Sequence, residues 1–165
     1  MKRNLMFSRI IFLLLWSPLL SLAQSNVQFV SLAKQVVSGP MTQGPVSFVA
    51  RSSNELKKYL ESLVQPTQSW SQMITSTRGK QLAGLIDSVD FRERMVLGAV
   101  VRGSSSLCTG ISIVSVRTYP QEMRVDAIEY KPAPDTVCLA AIGAAYHLIS
   151  VPKKDVPVRF FRRDA

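Results

Sequence analysis

The sequence predicts an α+β fold that is mainly β, with antiparallel sheet layers or a sandwich and one capped helix, at about residues 53–64, packed on them. Strand-like segments follow one another from residue 89 to residue 161 and are joined by short connections. One amphipathic helical segment precedes them. Because no helix-length segment separates the later strands, their spacing does not favour βαβ units.

The chain after residue 24 begins with two short apolar segments. Val27 to Val37 is apolar with little helical period, and Val46 to Ala50 is rich in β-branched and aromatic residues. Turn-forming residues lie between them, at Ser38-Gly39-Pro40 and Gly44-Pro45. This pattern predicts a loose β-hairpin.

The best helix signal starts at Ser52. Glu55 follows it three residues later, which is the spacing of a capping box. Pro66 ends the segment, residues 65–76 are polar and predict a loop, and a weaker second helix is predicted around Leu82. The apolar positions of the first helix fall on one stripe, at Leu56, Tyr59, Leu60, Leu63 and Val64.

The second half of the chain consists of predicted strands. Met95 to Val101 is a continuous apolar run, which is typical of a buried central strand. A tight turn is predicted at Tyr119 to Glu122, and Gly143 separates two of the later segments. The other predicted strands are Ile111 to Val116, Met123 to Ala127, Val137 to Ala141, Tyr146 to Val151 and Val158 to Phe161.

Residues 1–23 read as a secretory signal peptide. Basic residues precede a short apolar run from Ile10 to Trp16, and Ser21 and Ala23 are the small residues that a signal peptidase requires. A membrane anchor is the alternative, but it needs about 20 apolar residues. We therefore expect cleavage after Ala23, a single domain over residues 24–165, no stable membrane anchor, and a periplasmic or secreted protein.

Composition excludes several kinds of site. The chain of 165 residues has one His and two Cys, too few for a histidine metal cage or a four-thiolate zinc site, and we expect no cofactor. Loss of the predicted leader leaves 17 basic and 11 acidic residues, a net charge of +6. The basic residues are dispersed, which argues against nucleic acid. A solvated basic surface explains them best, and anionic envelope polymers or acidic partner surfaces are the alternatives.

Cys108 and Cys138 are predicted to form a disulfide. An exported chain with two cysteines usually pairs them. Closing the loop from Cys108 to Cys138 would stabilise the fold by about 3–4 kcal/mol. A redox pair or a thiol nucleophile is the alternative. Neither is supported, because the spacing is not CxxC and no basic residue beside Cys108 would activate its thiol.

His147 is the one imidazole, within a segment that reads as strand. It is either a half-exposed strand residue or a functional base, and the pattern favours the first. A hydrolase would need a serine aligned with it, such as one of Ser104 to Ser106, and the chain has no GxSxG or other nucleophile motif. A phosphate-binding loop is also missing at Arg78 to Gln81.

Three sequence segments resemble the C-terminal domain of the PrcB family, protease complex subunits of bacterial envelopes. They are VSFVARSSNELKKYLESL at 46–63, VDFRERMVLGAVVRG at 89–103 with the turn SSSLCTGISI after it, and AAYHLISVPKKDVPVRF at 144–160. The resemblance implies a non-catalytic module that stabilises, assembles or modulates a partner protein, with a protease or another envelope protein as the expected partner.

One departure from that family concerns its glycine turn. The family usually has Pro-Thr-Gly-Gly-Tyr there, whereas this chain reads LCTGI at 107–111. The family's turn also looks like a loop of the chagasin-type inhibitors of cysteine proteases. Because the proline and tyrosine are missing, inhibition becomes the minor alternative.

The sequence therefore predicts an exported protein that binds a partner and is not an enzyme. The alternatives are a hydrolase that uses His147 and a chagasin-like protease inhibitor. The loop before the second predicted strand is the expected contact surface, because it is small, polar and fixed at one end by Cys108. The candidate partner-binding residues are Gly103, Ser104, Ser105, Ser106, Thr109, Gly110, Tyr146 and His147.

Overall fold

The computed structural model describes residues 24–38, 46–64 and 77–165. The predicted signal peptide at 1–23 lies outside the described residues. So do the predicted turns between 39 and 45 and the predicted loop at 65–76.

Strands and two helices make up most of the described chain. The strands are β1 (Ser25–Asn26), β2 (Val30–Ser38), β3 (Ser47–Ala50), β4 (Arg94–Ser106), β5 (Gly110–Thr118), β6 (Met123–Tyr130), β7 (Ala140–Pro152) and β8 (Val158–Asp164). The helices are α1 (Ser53–Val64) and α2 (Thr77–Asp87).

Within the described ranges the strands form two four-stranded sheets. Their orders are β1-β5-β6-β8 and β2-β7-β4-β3. All neighbours are antiparallel except β6 and β8, which are parallel. The predicted fold class, mainly β with sheet layers and a capped helix at 53–64, is confirmed.

The two faces of the second sheet bury different sets of side chains. In β7, Tyr146 and Leu148 pack with the helices, whereas Ala145, Ile149 and Val151 face the other sheet. This alternation follows from the two-residue period of a strand. The sheet β2-β7-β4-β3 is therefore the middle layer, with helices on one face and the sheet β1-β5-β6-β8 on the other.

Helix α1 begins as the sequence predicts, with one difference. Ser52 Oγ accepts a hydrogen bond from the amide of Glu55 at 3.2 Å, as an N-cap residue does. The carboxylate of Glu55 accepts from the amide of Arg51 at 2.6 Å, one residue earlier than in a capping box. Leu56 and Leu60 of the predicted stripe are fully buried.

The predicted hairpin between the first two strands is wrong. β2 pairs with β7 and β3 pairs with β4, so β7 and β4 lie between them. Turn residues in the sequence between two strands do not determine which strands pair. The long strands β4 and β7 are apolar on both faces and take the centre of the sheet, where both faces are covered.

β7 and β4 differ most from their predicted limits. β7 runs without a break from Ala140 to Pro152 and includes Gly143, which the sequence predicts to separate two strands. β4 extends to Ser106, so Ser104 to Ser106 form the end of a strand and not a loop. The two ends pair, Ser104 with Gly143, through shifts in register that accommodate small residues.

Gly98 of β4 lies directly under the ring of Phe48. The two residues are cross-strand partners, and a Cβ at position 98 would lie 2.3 Å from a carbon of that ring. The ring cannot easily move, because it is buried and stacks on Tyr59 with centroids 4.4 Å apart.

Gly98→Ala is expected to lower the free energy of unfolding by about 2 kcal/mol, because it overpacks this contact. Gly84→Ala is the matched control. A Cβ at Gly84, inside α2, meets nothing within 4 Å, so the same change should stabilise the protein by about 0.5–1 kcal/mol. Urea denaturation measures both, and equal effects of the two variants would contradict the packing described here.

Candidate functional site

Two loops meet at one end of the sandwich, and a disulfide joins them. Cys108, between β4 and β5, is bonded to Cys138, which precedes β7, with the Cα atoms 5.8 Å apart. Beside it, the amide of Leu107 donates a hydrogen bond to the carbonyl of Leu139 at 3.2 Å. The predicted disulfide is confirmed. Residues 107–109 and 131–139 are called the tied end below.

The longer loop of the tied end is kept out of the sheet by its own sequence. Pro132 and Pro134 lack the amide hydrogen that a strand ladder needs. A turn follows, closed by the amide of Thr136 donating to the carbonyl of Ala133 at 3.0 Å. The chain then runs through Val137 to Leu139 outside any strand and enters β7 at Ala140.

Two large apolar side chains on this loop are exposed. Val137 is 98% exposed and Leu139 is 76% exposed, on either side of the disulfide-bonded Cys138. Each has a larger exposed fraction than any other large apolar side chain whose exposure the structure describes. Because large exposed apolar patches mark interaction sites, these two neighbouring side chains make the loop a candidate for one.

Sequence analysis missed Val137 and Leu139 because their residue types are those of a strand. The prediction of a strand at Val137 to Ala141 is wrong, since the strand begins only at Ala140. One signal could have found them: prolines and a turn directly before a cysteine place the following residues in a loop.

The predicted loop residues lie at or near the tied end. Gly103 to Ser106 are the last residues of β4, and Thr109 and Gly110 follow the disulfide-bonded Cys108. Thr109 is buried, at 7% exposure. Gly110 opens β5 and faces the ring of Tyr130. The structure thus brings the main chain of this predicted segment to the loop that carries Val137.

Tyr146 and His147 are buried and do not belong to the exposed surface of the tied end, although Tyr146 and Gly110 line one cavity together with Gln35. Tyr146 and His147 lie next to each other on β7 and point to opposite faces, 1% and 4% exposed. The prediction of His147 as a half-exposed residue is wrong. Tyr146 donates a hydrogen bond to Gln35 Oε1 at 2.9 Å. Gly143 pairs with Ser104 of the predicted loop, and His147 lies four residues from Gly143 along β7. In a strand this is a distance of about 13 Å, so His147 is far from that loop.

His147 hydrogen-bonds to both sheets, to Ile113 of β5 in the opposite sheet and to Ser31 of β2 in its own. Its Nδ1 accepts a hydrogen bond from the amide of Ile113 at 2.8 Å, and its Nε2 lies 2.9 Å from Ser31 Oγ. Register shifts occur at both contacts, after Ser31 in β2 and after Ile113 in β5. The imidazole therefore supplies a partner to groups at two irregular points of the ladders.

The contacts of His147 determine its protonation. Because Nδ1 accepts from an amide, the single proton of the neutral ring is on Nε2, which donates to Ser31 Oγ. Burial, and after it the positive charge of Lys34, lowers the pKa of His147 to about 4. The ring is neutral at physiological pH.

Ser31 and His147 have the separation of a nucleophile and its base but the wrong arrangement of protons. A general base needs a free lone pair facing the hydroxyl, and here Nε2 carries the proton. The lone pair of Nδ1 is already used by the Ile113 amide. In this arrangement the imidazole cannot take a proton from Ser31.

The described residues lack the features of two other kinds of site. They contain no group of three or more His, Cys, Asp or Glu side chains placed to hold a metal ion. None of the helices described is long and apolar enough to span a membrane. The disulfide is typical of an oxidising compartment outside the cytoplasm.

Comparison of the chain with known protein families, with curated proteins and with solved structures finds no match.

Proposed function

We propose that this protein is an exported, non-catalytic binding module, periplasmic or secreted, that contacts a partner protein through the tied end. The observation that carries the proposal is the exposure of Val137 and Leu139 on a loop fixed by a disulfide. These side chains would be the apolar anchors of the interface, and the polar segment from Gly103 to Gly110 would form its border.

The energetics of the tied end suit a binding surface. Burying one fully exposed valine or leucine side chain contributes about 1.5–3 kcal/mol. The disulfide and the Leu107–Leu139 hydrogen bond hold the loop before any partner arrives. Less conformational entropy is then lost on binding, so more of the contact energy remains as affinity.

The class of partner follows from the resemblance to PrcB proteins. That resemblance favours a protease or another protein of the bacterial envelope, whose activity or stability this module would modulate. The signal-like residues 1–23 favour export to such a compartment, and the disulfide is consistent with it.

The hydrolase alternative is weakened by the state of His147. Its Nδ1 is occupied by an amide, its proton faces Ser31, and its pKa is lowered to about 4. These features support a structural role for the imidazole and a binding role for the protein.

Val137→Ser with Leu139→Ser tests the proposal. We expect capture of the partner from the native envelope fraction to fall by about tenfold or more, because two apolar anchors are lost. The melting temperature should not change, since both side chains are exposed. Val30→Ser with Val46→Ser is the matched control, because these valines are 58% and 56% exposed and lie outside the tied end.

Two results would contradict the proposal. One is capture by the Val137→Ser, Leu139→Ser variant at the level of the unmodified protein. The other is hydrolysis by the unmodified protein that disappears in His147→Ala, which would establish the enzyme instead.

A further inference from the structure

The outer face of the sheet β1-β5-β6-β8 carries a row of arginines. Arg117 of β5 is the register partner of Arg124 of β6, and Arg124 is the partner of Arg159 of β8. Inward-facing neighbours such as Val116 and Val125 belong to the core between the sheets, so the alternation directs the three arginines outward. Neighbouring strands are about 4.8 Å apart, and the row is therefore about 10 Å long.

A fourth arginine extends the row along β8. Arg163 lies two strand periods after Arg159, on the same face, and is close enough to Asp126 to lower the pKa of that carboxyl. The side chain of Arg159 is 69% exposed and that of Arg124 is 43% exposed. Arg117, Arg124, Arg159 and Arg163 are called the arginine row below.

Two carboxylates hold the arginine row in place without neutralising it. Asp126 pairs with Arg117 at 2.6 Å, and Glu122 pairs with both Arg124 and Arg159. Burial would raise the pKa of Asp126, but hydrogen bonds from Ser115 and Arg117 and the nearby positive charges lower it, so the carboxylate stays ionised. Four positive and two negative charges leave an excess of two on one small face.

Aromatic rings fix the middle of the row. The guanidinium of Arg124 lies 4.6 Å from the ring centroid of Tyr119 and 5.8 Å from that of Phe161. Such cation–π contacts, together with the ion pair to Glu122, reduce the number of rotamers that Arg124 samples. A ligand would therefore meet guanidinium groups that are already ordered.

We infer that the arginine row binds a linear, phosphate-bearing polyanion. Guanidinium groups match phosphate oxygens as paired donors, better than lysine ammonium groups do. A chain of phosphates running across β5, β6 and β8 would meet one arginine on each strand. A flat anionic bilayer fits less well, because two carboxylates lie within the row and would be repelled by its surface.

Three arginines of the row, Arg117, Arg124 and Arg159, lie at the opposite end of the sheet from the tied end, whereas Arg163 pairs with Ile128 and lies nearer to it. The tied end is next to the pair Gly110 and Tyr130, whereas the row crosses β5 and β6 at Arg117 and Arg124, beside the opposite end at Thr118 and Met123. A protein held on an anionic polymer by Arg117, Arg124 and Arg159 would keep Val137 and Leu139 accessible. The site therefore does not depend on the proposed partner protein.

The test is binding of fluorescently end-labelled linear inorganic polyphosphate, measured by anisotropy at several salt concentrations. We expect log K to fall with log salt with a slope of about −2, as three single-strand phosphate contacts require. Arg159→Glu with Arg163→Glu should weaken binding by about tenfold or more. Lys58→Glu with Lys80→Glu is the control, because it changes the net charge by the same amount at exposed positions of α1 and α2, on the opposite side of the sandwich. This variant should bind polyphosphate within about threefold of the unmodified protein.

Each other outcome overturns the inference. Equal losses in the two variants would mean that only net charge matters. Binding to phosphatidylglycerol vesicles without binding to polyphosphate would assign the face to a membrane surface. No binding of polyphosphate by the folded, unmodified protein at low salt would remove the site altogether. Circular dichroism and thermal unfolding of each variant show that the fold is intact.

Discussion

Replacing both cysteines, Cys108→Ser with Cys138→Ser, is expected to lower the free energy of unfolding by about 3–4 kcal/mol. The bridge joins residues separated by 30 positions, and in the chain-entropy model a loop of that length loses this much freedom in the unfolded state. A small domain has a total stability of about 5–15 kcal/mol, so the melting temperature should fall by many degrees. Urea denaturation with and without reductant measures the effect.

The serine variant also serves as its own control. Reductant should destabilise the unmodified protein and leave the variant unchanged, because the variant has no disulfide to lose. Hydrogen exchange at Leu107 should speed up in the variant, since its amide bonds to the loop that the disulfide holds. Equal stability of the unmodified protein in its oxidised and reduced forms would contradict this account.

Acidification is expected to destabilise the protein through His147. The ring has a pKa of about 4 when folded against an ordinary value of 6.5, so the unfolded chain binds more protons between these values. The free energy of unfolding is therefore unaffected by the titration of His147 above about pH 6.5. It falls by about 3 kcal/mol in total as the pH is lowered to about 4. Protonation would also replace an acceptor by a donor facing the Ile113 amide.

His147→Gln separates this effect from the titration of carboxylates. Glutamine has a donor and an acceptor but does not titrate, so the variant should lose less stability than the unmodified protein between about pH 6.5 and about pH 4.5. Asp126, whose pKa is lowered, titrates below that range in both proteins. Parallel losses of stability in the two proteins would show that His147 is not the group responsible.

The local features of the fold could be predicted from the sequence, because each rests on residues close together in the chain. Ser52 caps α1, and Leu56 and Leu60 face the core, as their spacing requires. The pairing of Cys108 with Cys138 followed from their number alone. Strand pairing is different, since it depends on residues far apart, and the neighbours of β2 and β3 could not be read from the turn between them.

The candidate site could be predicted only in part, for the same reason. The segment from Gly103 to Gly110 was identified by its composition, but a valine is buried or exposed according to what packs on it. Val137 looks like a strand residue and is almost fully exposed, whereas His147 looks half-exposed and is buried between two sheets. Its contact with Ile113 arises from the packing of sheets and leaves no local signal.

A photo-crosslinking side chain introduced at Val137 in the exported protein tests the central claim most directly, because it reports which molecule touches the tied end. The same side chain at the exposed Lys58 on α1 is the control. We predict an adduct with one exported protein from position 137, removed by excess unmodified protein, and no such adduct from position 58. No adduct at position 137, or the same adducts in equal yield from both positions, would contradict a partner-binding role for this end of the sandwich.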